Sequence, residues 1–265
     1  MPSKNEQFSA GNIATMRAII IGAGRGIRLM PMTANGPKCF AEIRGRRILD
    51  WILAALQGGG VDDICFVGGY RIDDVRRHYP HFTFRHNADW PNNNILASLM
   101  YAEDLMDRPF ITTYSDILYT PEIVRALASS QDDIALGVDT DWRTHYAPRT
   151  QHPPHDAEKL ILRDGRVLRV HRGIPYEEAS GEFIGVAKFS TDGARQLREH
   201  YHRRRREFAG KPFREAQVFE KSYLIHLFQD MIEAGIAFGH ADTHGRYREI
   251  DTQEDLHLAE RGWEG

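Results

Sequence analysis

The sequence predicts an α/β fold: an open, mostly parallel sheet with helices on both faces. Short apolar segments alternate with segments of helical periodicity through the first 140 residues. A glycine-rich loop follows the first apolar segment, and a later apolar segment leads to an acidic residue, Asp116. Repeated alternation of strand and helix is typical of parallel sheets, which bind their ligands at the carboxyl ends of the strands.

The first half of the chain contains five predicted strands. Between them, Ile48, Leu49, Ile52, Leu53 and Leu56 recur at helical spacing, and the glycines at 58–60 end that helix. Thr120-Pro121 is typical of a helix N-cap and first turn. The strands are predicted at Ala18–Ile21, Ile64–Val67, Phe82–Arg85, Phe110–Tyr114 and Ile134–Val138, and further helices at Asp73–His78, Ile95–Leu105 and Pro121–Ala128.

The pattern changes after residue 139. Asp164-Gly165 lies between the apolar segments Leu160–Leu162 and Val167–Val170, an arrangement typical of a β-hairpin. We expect one domain over residues 16–265, with a small β-rich lid inserted at about 140–190 and a flexible polar tail at 1–15. The remaining predicted elements are strands Phe183–Phe189 and Ile236–Gly239 and helices Ala194–Glu207, Glu215–Ala234 and Asp251–Arg261.

Composition excludes several classes of protein. The net charge of −3 argues against a nucleic-acid-binding protein, and the acidic neighbours of the basic run Arg203–Arg206 favour a solvated helix face. No apolar run reaches the roughly 18–20 residues of a membrane helix, and residues 1–15 lack the apolar segment of a signal peptide. The two cysteines, Cys39 and Cys65, have no metal or disulfide spacing. We therefore expect a cytoplasmic protein that binds neither nucleic acid nor membranes.

The glycine-rich loop predicts a cradle for nucleotide phosphates. Glycine has no Cβ, so the backbone N–H groups near Gly22, Gly24 and Gly26 can approach an anion closely. A dinucleotide fingerprint would need its third glycine at Ile27, and the Gly-Lys-Ser/Thr ending of a Walker A loop does not occur in the sequence. Cationic side chains that suit phosphate oxygens follow at Arg25, Arg28 and Lys38.

Two acidic positions are suited to a hard cation. Asp116 follows a predicted buried strand, and Glu249 and Asp251 share one side of an extended segment. Mg²⁺ prefers one or two carboxylates together with water and substrate phosphate. Each aspartate also has a plain structural interpretation, Asp116 as an Asx turn and Asp251 as a helix cap. From the residue types alone, both interpretations stay open.

The motifs together resemble the sugar-phosphate nucleotidyltransferase superfamily. The pattern G-x-G-x-G-x-R-L-x-P-x-T with a following P-K begins at Gly22, and E-I-D-T-x-x-D-L begins at Glu249. The resemblance implies a Rossmann-like fold in which Asp116 and Asp251 hold a catalytic Mg²⁺, with Glu249 as outer support. It also implies that Arg28 binds the departing pyrophosphate, and that Lys38 binds the α-phosphate and the attacking group.

A narrower resemblance begins at Asp139-x-x-Trp142. With Ala157-Glu158-Lys159 and Gly181–Gly185, this element is similar to cytidylyltransferases that act on phosphocholine or small phosphonates. The resemblance implies CTP and a phosphonate or phosphate acceptor as partners, points to phosphonate biosynthesis, and leaves a homodimer open. The implied nucleotide-binding residues are Gly22, Ala23, Gly24, Arg25, Gly26, Gly69, Tyr70, Asn94 and Ser98, and the acceptor candidates are Arg149, Lys159, Glu182 and His226.

One departure bears on the acceptor. Relatives that take choline or aminoethyl groups commonly show Tyr-x-Thr-Asp where this chain has histidine at 226. A histidine favours an acceptor without an amine, such as the carboxyphosphonate phosphonoformate, although His226 also fits a solvated polar helix face. Trp142 and Tyr146 fit either an aromatic cage for choline phosphate or the packing of the lid. The sequence also leaves open a sugar-1-phosphate nucleotidyltransferase and a catalytically silent nucleotide-binding regulator.

Overall fold

A computed structural model describes residues 16–30, 33–34 and 36–265, so the predicted tail at 1–15 and Pro31 of the loop motif lie outside the described residues. The described part of the chain contains a nine-stranded sheet whose strands are β1 (Arg17–Gly22), β4 (Asp63–Gly68), β5 (Thr83–His86), β6 (Phe110–Tyr114), β8 (Ile134–Asp139), β9 (Lys159–Arg163), β10 (Arg166–Val170), β11 (Gly181–Phe189) and β12 (Gly239–Asp242). They lie in the order β10-β9-β11-β6-β1-β4-β5, with β8 beside β11 and β12 beside β8.

Two small ribbons accompany this sheet. They pair β2 (Glu42–Ile43) with β3 (Arg46–Arg47), and β7 (Ile117–Tyr119) with β13 (Tyr247–Glu249). The helices are α1 (Ile48–Gly58), α2 (Ile72–His78), α3 (Ile95–Met100), α4 (Pro121–Ser129), α5 (Trp142–Tyr146), α6 (Thr191–Phe208), α7 (Leu224–Glu233) and α8 (Gln253–Gly262).

The direction of the strands positions the candidate site. Seven of the nine strands of the main sheet run the same way; β10 and β11 run against them. β1 pairs in parallel with β4 on one side and with β6 on the other. The carboxyl ends of β1 and β6 therefore meet at one edge of the sheet, and the glycine-rich loop lies beside Asp116 there.

Apolar cores cover both faces of the sheet, because successive residues of a strand point to opposite sides. In β1, Ile20 belongs to the core under α1, α4 and α8, whereas Ile19 and Ile21 belong to the core under α3, α6 and α7. α1 buries Ile48, Leu49, Ile52 and Leu56, as its helical spacing predicts. The predicted α/β class with helices on both faces is confirmed.

The predicted helix Glu215–Ala234 is wrong in its first half. α7 begins only at Leu224, and Phe219–Lys221 forms a 3-10 turn. Phe213 and Ala216 exchange backbone hydrogen bonds of 3.0 Å in a tight turn, and Arg214 has a φ of 53°. Phe213, just before the predicted helix, and Phe219 pack on each other from this turn, with ring centroids 5.2 Å apart.

Three smaller boundaries also differ. The late strand lies at Gly239–Asp242, where it pairs with β8, and not at Ile236–Gly239. α3 ends at Met100, and a separate 3-10 turn covers Glu103–Leu105. α8 begins at Gln253 because the Thr252 hydroxyl accepts the backbone N–H of Asp255, so Thr252 and not Asp251 caps this helix.

The predicted lid region, 140–190, contains α5, the β9–β10 hairpin and the whole of β11. All three of its strands belong to the main sheet, because β11 pairs with both β6 and β9, and β9 pairs with β10. Residues of this region also form a small apolar core that includes Trp142 and Tyr146, both buried. Movement of this region as a lid stays a prediction.

Candidate active site

The loop after β1 is held in a tight conformation that depends on glycine. Gly26 has a φ of 67°, and a Cβ at this position would lie 2.9 Å from the side chain of Lys38. Thr33 donates its hydroxyl hydrogen to the Gly26 carbonyl over 2.9 Å, and the backbone N–H of Tyr70 donates to the Ala23 carbonyl over 2.9 Å. The loop is therefore fixed from both sides, while Gly24 has open space around it.

The two predicted metal ligands meet, although 135 positions separate them in the sequence. β7 and β13 pair in antiparallel fashion, and the backbone N–H of Ile250 donates to the Asp116 carbonyl over 2.9 Å. The Lys38 ammonium lies between the two carboxylates, 2.7 Å from Oδ2 of Asp116 and in hydrogen-bond contact with Oδ1 of Asp251. The other oxygen of Asp251 lies 2.5 Å from Nη2 of Arg28.

The electrostatics of this group follow from burial and pairing. Burial alone would raise the pKa of Asp251, but Lys38 and Arg28 outweigh it and lower the pKa to about 2. Burial alone would lower the pKa of Lys38, but the two carboxylates outweigh it and raise that pKa. Asp251 is therefore ionised at neutral pH, and positive charge is strongly favoured beside it.

The donor set fits a hard divalent cation. Asp116 and Asp251 converge on one position that holds a positive charge, and Glu249 lies close to Asp251. Burial, followed by the charges of Asp251, Glu182 and Asp116, raises the pKa of Glu249 well above its usual value. A cation that prefers oxygen ligands, such as Mg²⁺, would reduce the repulsion among these carboxylates.

These residues border a cavity of about 550 Å³ at the carboxyl edge of the sheet. Six carboxylates and four cationic side chains line it. The predicted residues that line it are Gly22, Ala23, Gly24, Arg25, Gly26, Arg28, Lys38, Asn94, Ser98, Asp116, Glu182 and Asp251. The structure thus brings together the loop, the two cations and the two aspartates that the sequence analysis singled out.

A second part of the cavity wall contains charged residues that sequence analysis did not assign to the site. Nη2 of Arg172 lies 3.1 Å from Oε1 of Glu158, and Tyr114 donates to the other oxygen of Glu158 over 3.2 Å. The Arg172 guanidinium lies 4.1 Å from the ring centroid of Tyr223. Burial raises the pKa of Glu158 although Arg172 opposes the shift.

Glu182 is a predicted acceptor residue that does face the cavity. It is only 3% exposed, and its Oε1 accepts the hydroxyl hydrogen of Tyr146 over 2.7 Å. Its Oε2 is buried and has no hydrogen-bond partner among the residues that the structure describes. Burial raises the pKa of Glu182 to about 7, because it outweighs the Tyr146 hydrogen bond and the charge of Arg149.

The asparagine cluster combines structure with position on the cavity. The Asn94 side chain accepts the N–H of Ile95 over 2.9 Å and so caps α3, as predicted. Ser98 donates to the Asn94 carbonyl over 3.1 Å. Asn87, which sequence analysis missed, is fully buried and donates to Oγ of Ser98 over 2.9 Å. Asn93 completes this network beside the cavity.

Two predicted nucleotide residues support the cavity wall from behind. Gly69 packs against Trp90, where a Cβ would come within 2.7 Å of the indole side chain. The Tyr70 ring lies edge-on to Trp90, with centroids 5.7 Å apart, and the Arg25 guanidinium lies 5.5 Å from the Tyr70 centroid. Trp90 lines the cavity itself, so Gly69 and Tyr70 position it and the loop.

Three predicted acceptor residues do not line the cavity. Arg149 lies behind the aspartates, where it contacts Asp255 at 2.9 Å and the Glu249 carbonyl at 2.9 Å. Lys159 is buried, and its ammonium is 3.3 Å from the Pro154 carbonyl. The sequence shows that both residues are cationic, but it does not show where their side chains point.

The third is His226, which lies in a neighbouring cavity separated by Arg172 and Tyr223. Its Nδ1 accepts the backbone N–H of Tyr223 over 3.3 Å in a capping box. Burial lowers the pKa of His226 to about 4, so the imidazole is neutral at pH 7. The structure therefore gives no support to His226 as a cation for an anionic acceptor.

Comparison with known proteins supports the interpretation drawn from the geometry of the site. The model of the MobA-like NTP transferase domain matches residues 18–174, which is more than half of the chain. The chain belongs to this family. It is a nucleotidyltransferase, and the resemblance found in its motifs is confirmed.

Relatives of this nucleotidyltransferase carry cytidylyltransferase names. It is 28% identical over 253 residues to the CTP:phosphoglutamine cytidylyltransferase of Campylobacter jejuni, which covers 92% of this chain and 98% of that one. It is 28% identical over 198 residues to the 2-aminoethylphosphonate cytidylyltransferase of Lancefieldella rimae, which covers 72% and 74% of the two chains.

Solved structures share its fold. The inositol-1-phosphate CTP transferase of T. maritima matches with a TM-score of 0.71 at 19% identity over 95% of this chain and 99% of that one. The CTP:phosphocholine cytidylyltransferase of Streptococcus pneumoniae matches with a TM-score of 0.71 at 18% identity, over 92% and 97% of the two chains. Among the described residues, no helix has both the length and the apolar character needed to cross a bilayer.

Proposed function

We propose that this nucleotidyltransferase is a Mg²⁺-dependent cytidylyltransferase that transfers CMP from CTP to a small phosphate or phosphonate acceptor and releases pyrophosphate. The observation that carries the proposal is the convergence of Asp116 and Asp251 on one cation position, beside a glycine-rich loop and a cavity of about 550 Å³. CTP is supported by relatives named for it, one of which aligns over 98% of its length.

The chemistry needs little from a general base. An anionic oxygen of the acceptor attacks the α-phosphorus of CTP, a new P–O bond forms, and the bond to the β-phosphate oxygen breaks. Pyrophosphate leaves with that electron pair. Because the attacking oxygen is already charged near neutral pH, catalysis consists of positioning and neutralisation of negative charge.

The chain's own residues supply both effects. Backbone N–H groups of the loop bind the β- and γ-phosphates, and Arg28 binds the leaving pyrophosphate. Lys38, whose ammonium contacts both aspartates in this structure, stabilises charge at the α-phosphate. When bound by Asp116 and Asp251, Mg²⁺ would add Lewis-acid stabilisation of phosphate oxygens.

The acceptor named for the relative of matching length, phosphoglutamine, is the first candidate. The anionic acceptor suggested by the sequence, phosphonoformate, has weaker support, because His226 is neutral and outside the cavity. Choline phosphate also loses support, since Trp142 and Tyr146 are packed in the small core and form no cage on the cavity.

Pyrophosphate release tests the proposal directly. The enzyme would be incubated with CTP, UTP, GTP or dTTP and with L-glutamine phosphate, choline phosphate, aminoethylphosphonate, phosphonoformate or a sugar-1-phosphate. We expect turnover with CTP and one of the small acceptors, and loss of turnover when EDTA removes Mg²⁺. Turnover only with UTP, GTP or dTTP and a sugar-1-phosphate would replace the proposal with the sugar branch. No turnover of any combination would revive the silent regulator.

A further inference from the structure

The part of the cavity wall away from the glycine-rich loop carries opposite charges side by side. We call the group formed by Tyr114, Glu158, Arg172, Glu182 and Tyr223 the head-group subsite. All five residues line the same cavity as the loop and the aspartates. The charge of Asp116 contributes to the raised pKa of Glu158, so the subsite lies within electrostatic reach of the reaction centre.

Two groups of this subsite keep unused hydrogen-bonding capacity. Arg172 uses one terminal nitrogen for Glu158, at 3.1 Å, and its side chain stays 37% exposed. Glu182 is 3% exposed, and its Oε2 has no partner among the described residues. A buried carboxylate oxygen without a donor is costly, because it has lost water and gained nothing in return. A ligand that brings a donor to Glu182 and an acceptor to Arg172 would satisfy both.

We propose that the head-group subsite binds a zwitterionic, α-amino acid head group of the acceptor. Arg172 takes the α-carboxylate, and Glu158 with Glu182 takes the α-ammonium. This inference rests on the proposed function and names the class of acceptor within it. The ligand's two charges replace the contact between Arg172 and Glu158, so each protein charge keeps a partner of opposite sign.

Acceptors with a single charge on the head group fit less well. A purely cationic group such as choline would meet the Arg172 guanidinium, which already covers the Tyr223 ring at 4.1 Å. A purely anionic group such as the carboxylate of phosphonoformate would leave Glu182 without a donor and place a third negative charge beside Glu158. Each case leaves one buried or half-buried charge uncompensated.

Three matched acceptors test the assignment. They are L-glutamine phosphate, the same compound without the α-carboxylate, and the same compound without the α-amine. We expect the wild type to prefer the zwitterion over each analogue by about 100-fold in kcat/KM, the usual range for a desolvated charge contact. Arg172→Met should reduce the preference over the decarboxylated compound to within about threefold. Glu158→Gln should reduce the preference over the deaminated compound.

Two further variants are needed: Arg172→Lys as a conservative change and Arg169→Met as a matched control. The lysine variant keeps the charge but not the planar fork, so it should retain part of the preference and remains informative if the methionine variant does not fold. Arg169, three residues away on β10, is exposed and outside the cavity lining, and its methionine variant should leave all rates unchanged.

The outcomes separate the two proposals. If the wild type turns over none of these three compounds with CTP but does turn over another small phosphate or phosphonate, the head-group assignment fails and the proposed function stands. If it turns over no small phosphate or phosphonate with CTP, the proposed function fails. If it turns over the three compounds but the Arg172 and Glu158 variants lower all three rates equally, or change none, the head-group assignment is overturned and the cytidylyltransferase proposal stands.

Discussion

The two parts of the cavity are built in different ways. At the phosphate part, the loop, Arg28 and Lys38 all come from residues 22–38. At the head-group subsite, the charged side chains come from the two ends of the β9–β10 hairpin and from β11, and the two tyrosines come from β6 and from the residue before α7. The proposed phosphate-binding residues are thus mostly contiguous in the sequence, whereas the proposed head-group subsite combines distant segments.

We expect the largest effect on activity from Lys38→Met, which alters the phosphate part of the cavity. It removes the cation between Asp116 and Asp251, and we expect kcat to fall by about 10³-fold, as for loss of a main transition-state donor. Lys211→Met, on an exposed lysine, is the control in the pyrophosphate assay.

The same variant also tests the metal site without catalysis. With the competing ammonium gone, added Mg²⁺ should raise the Tm of the Lys38→Met protein more than it raises that of the wild type. An unchanged Tm at millimolar Mg²⁺ would show that the two aspartates do not bind the ion.

The next effect concerns the head-group subsite and is a pH dependence of stability. The pKa of Glu182 is about 7 in the folded protein and 4.5 in the unfolded chain, so the folded state binds the proton more tightly. The contribution of Glu182 to the free energy of unfolding therefore becomes less favourable as pH rises from about 4.5 to 7, by about 2–3 kcal/mol.

Glu182→Gln should remove this pH dependence of the free energy of unfolding, measured with urea at pH 5 and pH 8. Exposed Glu177→Gln serves as control, and equal pH profiles for wild type and Glu182→Gln would contradict the interpretation.

We expect the smallest effects from two glycine substitutions in the loop, one that alters stability and one that alters CTP binding. Gly26→Ala forces alanine into a φ of 67° and against Lys38, and should lower the Tm by roughly 3–6 °C. Gly24→Ala has open space and should leave the Tm unchanged, but raise the KM for CTP about tenfold if phosphates approach it closely. A normal KM for Gly24→Ala would move the phosphates away from this part of the loop.

The same contrast explains what the sequence could predict. The strand, the glycine-rich loop and the cations that follow form one contiguous pattern, so their placement was predictable. Asp116 and Asp251 were predictable because each belongs to a recognisable local motif. Their contact through β7 and β13 was implied by the family resemblance, since nothing in the residue types fixes the pairing of two short strands.

The head-group subsite could not be predicted in this way, for a specific reason. The turn at Asp164-Gly165 pairs Arg163 with Arg166, and a regular hairpin would then place Glu158 opposite His171. An irregularity between Val167 and Arg169 shifts the register by one residue, so Glu158 lies beside Arg172 instead. The hairpin was visible in the sequence, but the extra residue was not.

The backbone bond between Ile250 and the Asp116 carbonyl has a consequence for turnover. Strand pairing fixes the separation of the backbone segments that carry the two carboxylates, so these segments cannot part without breaking the β7–β13 ribbon. An enzyme must nevertheless admit a triphosphate and release two products in every cycle. Any opening that admits and releases them must therefore come from elements other than this ribbon.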